Sequence, residues 1–131
     1  MKTNSIKIIG LFFFSLITLN AIAQIDQKDT VGLNSLLKKS LYKTVLVIDD
    51  AGIINRKDNN GNAFIYNLDD VSTVKYDFDG YHNVIIQLIK GKKVKGVVEG
   101  REVESDINVI AFNVKNNCDK TIEIFKKLIK K

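Results

Sequence analysis

Between Tyr42 and Val114 turn signals interrupt the chain about every 8 to 12 residues, and that spacing constrains the fold more than any other feature. Tyr42–Ile48 carries Val45, Val47 and Ile48 and ends in Asp49-Asp50-Ala51-Gly52. Ile53-Ile54 then opens a second β-prone run towards Arg56. Asp58-Asn59-Asn60-Gly61-Asn62 is rich in residues that tolerate positive φ, so it predicts a turn before a third strand, Ala63–Leu68. After the polar corner Leu68-Asp69-Asp70-Val71, the run Val71–Phe78 places Val74, Tyr76 and Phe78 on one face by alternation. Asp79-Gly80 reverses the chain into Asn83–Ile89. Gly91-Lys92 reads as a hairpin into Val94–Val98, Glu99-Gly100-Arg101 as a further reversal, and Ile107–Val114 as the last strand. Seven short strands of this kind predict a mainly β domain, α+β by content, built as an antiparallel sandwich or barrel.

The period changes at the C-terminus. Cys118, Ile122, Phe125 and Ile129 recur at helical spacing, Ile124 and Leu128 widen the stripe, and Asp119, Lys120, Glu123, Lys126, Lys127 and Lys130 lie opposite. Asn117–Lys131 is therefore predicted as an amphipathic helix covering one end of the β-structure, with Asn116, Asn117 or Asp119 as its cap. Acidic residues begin it and lysines end it, which suits the helix dipole. Leu33, Leu36, Leu37 and Leu41 predict a shorter helix from Gly32 to Leu41, preceded by a polar, aperiodic and mobile stretch from Gln24 to Thr30.

Residues 1–23 read as an address. Lys2 and Lys7 precede an apolar run, Ile8–Leu19, and Ala21-Ile22-Ala23 has the small-x-small form a signal peptidase reads, so the mature chain is expected to begin at Gln24. The apolar run is shorter than the roughly 20 residues that a spanning helix needs, so no membrane span is expected after cleavage. The product is expected in the periplasm or outside the cell. Residues 24–131 are enough for one domain, comprising the mobile N-terminus with its helix (24–41) and the β domain with its C-terminal helix (42–131). Losing Lys2 and Lys7 reduces the formal charge from +5 to +3, with both signs interspersed, which gives no basis for nucleic-acid binding. The single cysteine, Cys118, excludes an intramolecular disulfide and sits where a core thiol is expected.

Seven antiparallel strands followed by one helix resemble the pleckstrin-homology-like (PH-like) barrel. Locally the resemblance is carried by Gly52-Ile53-Ile54, by Phe64-x-Tyr66-x-Leu68-Asp69-Asp70-Val71 entering Val74, and by the strand from Ile107 handing over to Ile122, Phe125 and Ile129. It covers roughly Tyr42 to Lys130 and implies a helix-capped barrel in a bacterial exported member. Relatives in that superfamily often bind phosphoinositide head groups near the first hairpin; here that turn is Asp49-Asp50, so the ligand does not transfer.

Chemistry is sparse. Asp77, Asp79 and His82 could be gathered around Gly80 as metal ligands, but the ordinary reading of Asp79-Gly80 is a plain hairpin turn, and the spacing and closing glutamate of a calcium loop are missing. Asp58–Asn62 is explained by turn formation in the same way. Asp49-Asp50 and Asp69-Asp70 are adjacent carboxylates that point apart, and Ser40, Ser72 and Ser105 stand in no nucleophile motif. No cofactor is implied, and the reading is non-catalytic. Lys90, Lys92, Lys93 and Lys95 form a basic cluster around Gly91, either a solvated turn protecting an edge strand or a weak site for an anionic ligand. The expected function is an exported binding or accessory module contacting an unknown protein or an anionic envelope component. The alternatives are a small hydrolase or metal-dependent enzyme centred on His82, and a structural subunit pairing through a sheet edge.

Overall fold

The computed structural model describes residues 27–129. The predicted signal segment and its cleavage point lie outside the described residues, as do Gln24, Ile25, Asp26, Lys130 and Lys131. The first element is α1 (Gln27–Leu37), followed by β1 (Val45–Ile48), β2 (Ile53–Lys57), β3 (Ala63–Asn67) and a 3-10 turn (Leu68–Asp70). Next come β4 (Val71–Phe78), β5 (His82–Leu88), β6 (Val94–Val98), β7 (Arg101–Ser105), β8 (Ile107–Phe112) and α2 (Lys115–Ile129). The strands form two antiparallel sheets, one of five strands in the order β1-β2-β3-β6-β7 and one of three in the order β4-β5-β8.

Three expectations about the strands change. There are eight described strands, because Arg101–Ser105 is a strand in its own right. Its sequence, Arg-Glu-Val-Glu-Ser, has little β propensity, but it lies at the edge of the large sheet, where charge is an asset rather than a fault. The segment around Gly91 is not a hairpin. β5 belongs to the small sheet and β6 pairs with β3 in the large one, so Lys90–Lys93 carries the chain from one sheet to the other. Nor do the sheets close into a barrel. The free edge of β1 is met by a side chain, Asn34, which donates from Nδ2 to Leu46 O and accepts from Leu46 N, both at 2.8 Å. An edge of β8 is met by Leu41 N, which donates to Ala111 O at 2.8 Å.

That last bond also explains why α1 ends early. Ser40 Oγ donates to Leu37 O at 2.6 Å and accepts from Thr44 N, so Leu41 leaves the helix register to pair with β8. At its other end α1 extends back to Gln27, into the stretch expected to be mobile. An exposed first turn needs no apolar face, and Asp29 there suits the positive end of the dipole.

Helix α2 begins at Lys115, ahead of all three predicted caps, and Lys115 Nζ pairs with Asp119 at 2.8 Å across one turn. Its buried stripe is Cys118, Thr121, Ile122, Phe125 and Leu128, with Ile124 and Ile129 partly buried beside it. The helix packs across β4, β5 and β8 and against α1, where Ile124 lies beside Gly32. Leu33 and Leu37 of α1 join Leu46, Ile54 and Tyr66 of the large sheet and Val84, Ile86, Ile110 and Phe112 of the small one in a single core. Fully burying side chains of this size contributes about 1.5–3 kcal/mol each. No helix among the described residues is long and apolar enough to cross a membrane.

Cys118 lies wholly inside this core, and burial, with the Asp119 carboxylate second, pushes its thiol up to about 11. The thiolate is the reactive form, so a disulfide-exchange reagent should label the native protein at neutral pH only at the rate of global unfolding. Mass spectrometry after timed labelling checks this; rapid native labelling would place the thiol at the surface.

Candidate functional site

The register of the large sheet brings four central residues into one row. Arg56 on β2 faces Phe64 on β3, Phe64 faces Gly96 on β6, and Gly96 faces Val103 on β7. On the other face of the same strands run two parallel rows, Asn55–Ile65–Lys95–Glu104 and Lys57–Ala63–Val97–Glu102. These three rows line a cleft of about 650 Å³. Its size falls in the range of about 300–1,000 Å³ typical of small-molecule sites. Its chemistry is mixed, with Phe64, Ile65 and Val97 apolar, Arg56, Lys57 and Lys95 cationic, and Glu102 and Glu104 anionic. The apolar part continues onto β1, so that Val45 (50 % exposed), Val47 (58 %), Ile65 (43 %) and Val97 (40 %) share a face that no described element covers.

Gly96 is essential to the row. A Cβ there would lie 2.6 Å from Phe64 Cδ1 and 2.9 Å from the Ala63 carbonyl, so only glycine lets the ring lie across β6. The Arg56 guanidinium stands 4.9 Å from the centroid of the same ring. Arg56 Nη1 donates to Asn108 Oδ1 at 3.0 Å and to Val109 O at 2.9 Å, joining the large sheet to β8 of the small one.

Arg56 is 5 % exposed, no carboxylate among the described residues lies within ion-pair distance, and its buried Nε has no hydrogen-bond partner. Desolvation lowers its pKa from the usual arginine value, opposed by Tyr66 and then Asp58. Tyr66 is itself buried with its hydroxyl unpaired, and burial raises its pKa. A buried cation without a counter-charge costs several kcal/mol.

The structure separates the predicted lysines. Lys95 lies on β6 and lines the cleft, opposite Ile65 on one side and Glu104 on the other. Lys90, Lys92 and Lys93 are exposed on the connection between sheets, which is anchored by Ile89 N donating to Asp70 O.

The Asp77, Asp79 and His82 set does not converge. Asp77 pairs with Asn83 and Phe78 with His82, so Asp77 and His82 point to opposite faces of the β4–β5 hairpin. Asp79 Oδ1 accepts from Asn83 Nδ2 at 2.8 Å and from Tyr81 N at 3.2 Å, and those bonds, the first most of all, hold its carboxyl below the usual value. No group of three His, Cys, Asp or Glu among the described residues is arranged to hold a metal ion. His82 sits among aromatics instead. Tyr76 OH and His82 Nδ1 are hydrogen-bonded at 2.7 Å, and Phe78 lies 5.0 Å from the imidazole centroid. The Asp49 and Asp58 carboxylates accept backbone N–H groups two and four residues ahead, as turn formation requires.

Arg56 is the residue that sequence reasoning passed over. Period-two reading of Ile54-Asn55-Arg56 puts the arginine on the same face as a core isoleucine, and that alternation was the available signal. No family model, curated protein or solved structure matches the chain.

Proposed function

We propose that this chain is an exported, non-catalytic binding or accessory module whose ligand surface is the cleft across β2, β3, β6 and β7. The supporting observation is that cleft: the outward face of the large sheet sets the exposed apolar side chains Ile65 and Val97 beside Lys57 and Lys95 in one concavity. Lys95 belongs to it, and the other three lysines solvate a connection. The partner is a component of the envelope or an exported protein with an anionic group. Any kinship with PH-like proteins rests on the strand texture from Tyr42 and on the terminal helix, and it assigns no phosphoinositide site, because Asp49 and Asp50 form the first turn.

The test is retention of a component from an envelope extract by immobilised mature protein. Ile65→Glu combined with Val97→Glu, both exposed and outside the core, should abolish retention. The triple change of Lys90, Lys92 and Lys93 to Gln should leave it intact. The reverse pattern would return the function to the connection between sheets.

One observation favours a second reading, the structural subunit. β7 is the outer strand of its sheet, with no described strand on its far side. Antiparallel pairing of two copies about Val103 would set Glu102 against Glu104, so the edge suits a different chain carrying a basic strand. Light scattering of the mature protein with and without extract distinguishes this reading. The enzyme alternative rests on the Tyr76–His82 hydrogen bond, and a hydrolase screen of His82→Ala decides it.

A further inference from the structure

The two sheets have four outer strands, β1, β7, β4 and β8, and their free edges differ. Asn34 occupies the edge of β1 at Leu46, and Leu41 N reaches that of β8. The edge of β7 would set Glu102 against Glu104 in a second copy. β4 is different. No backbone hydrogen bond from another described element reaches the far side of Ser72–Phe78. Helix α2 lies on the core face of β4, where Val74 is buried, whereas Lys75, Tyr76, Asp77 and Phe78 are exposed, Phe78 to 58 %. Neither Lys75 nor Asp77 belongs to an ion pair among the described residues. An open strand edge of this length is a template for another strand.

We propose that β4 is a homodimer interface: the β4 strands of two copies pair antiparallel about Tyr76 and join two three-stranded sheets into one of six. The contact is isologous, each copy offering the same strand. The residues themselves select the register. With Tyr76 opposite Tyr76 of the second copy, Lys75 faces Asp77, Asp77 faces Lys75, and Val74 faces Phe78 on both sides of the centre. Moving the centre to Lys75 sets two ammonium groups against each other, and moving it to Asp77 sets two carboxylates together. Those are the neighbouring registers that keep both core faces on one side of the joined sheet, because successive side chains alternate between faces. The bulge between Val71 and Thr73 and the turn at Asp79-Gly80 bound the regular run, so pairing spans Val74–Phe78. Neither Lys75 nor Asp77 lines the cleft, and this interface does not depend on the cleft being a ligand site.

Light scattering of the mature protein over a concentration series tests this, with no extract present, so that pairing of β7 with a different chain does not enter. The wild type should show a monomer–dimer equilibrium. Lys75→Asp makes both paired positions acidic and Asp77→Lys makes both basic, and each variant alone should raise the dissociation constant at least about tenfold. An equimolar mixture of the two variants restores opposite charges at both pairs and should dimerise about as well as wild type. Lys92→Asp makes the same change of charge on the connection between sheets and should leave the equilibrium as it is. A monomer at every concentration, a dimer that survives Lys75→Asp, or a mixture of the two folded variants that stays monomeric would overturn the proposal.

Discussion

Phe125→Ala is expected to remove about 3–5 kcal/mol of stability, a large share of the 5–15 kcal/mol typical of a domain. Phe125 is fully buried on α2, where that helix crosses the small sheet, and its ring is among the largest side chains with no exposure. Truncation loses the transfer energy of the ring and leaves a cavity that neighbours on three strands and a second helix cannot all collapse into. Lys127, two residues on, is exposed, and Lys127→Ala should cost less than about 0.5 kcal/mol. Urea midpoints for the pair measure the difference directly. Similar midpoints would mean that α2 presents another face to the core.

Gly96→Ala should cost about 1–3 kcal/mol, although an alanine in a strand would ordinarily help by restricting the unfolded chain. The reason is local: the new methyl would meet Phe64 Cδ1 at 2.6 Å and the Ala63 carbonyl at 2.9 Å. The ring cannot retreat freely, because Arg56 stands over it and is tied to Asn108 and Val109. Phe64→Leu should therefore absorb part of the penalty, and the double mutant should show a coupling of about 0.5–3 kcal/mol. Independent, additive costs from denaturant curves would show that ring and glycine are not in contact. Because both residues line the cleft, Gly96→Ala should also weaken whatever the cleft holds.

Much of the fold is legible without coordinates. The hairpin turns at Asp49–Gly52, Asp58–Asn62 and Asp79-Gly80 were readable because their chemistry is local: an Asx side chain bonds backbone a few residues away, and glycine takes the positive φ. The bounds of β4 and β6 followed from alternation and flanking glycines. Helix α2 is readable from its period, although it starts two residues before the predicted Asn117 and Leu128 rather than Ile129 completes the buried stripe.

The candidate site was far less legible. Nearness in sequence groups Lys95 with Lys90, Lys92 and Lys93, whereas the pairing of β6 with β3 assigns it to a different surface. Asp77 and His82 are neighbours in sequence in the same way, yet they point apart across a sheet. Arg56 gains its character from Asn108 and Val109, more than fifty positions away.

The sequence by itself determined where the chain turns, which stretches are β-prone, which face of the last helix is apolar, and that no disulfide could staple the domain, since each depends on side chains within a few positions of one another. Only the tertiary structure decided that the turn at Gly91 crosses between sheets, that Arg101–Ser105 joins as an edge strand, that the sheets stay open, and that a guanidinium is buried without a carboxylate partner among the described residues. Those outcomes depend on pairing between distant strands, where a strand's partner is chosen by the sum of core burial and backbone hydrogen bonding across the whole domain rather than by its own residues.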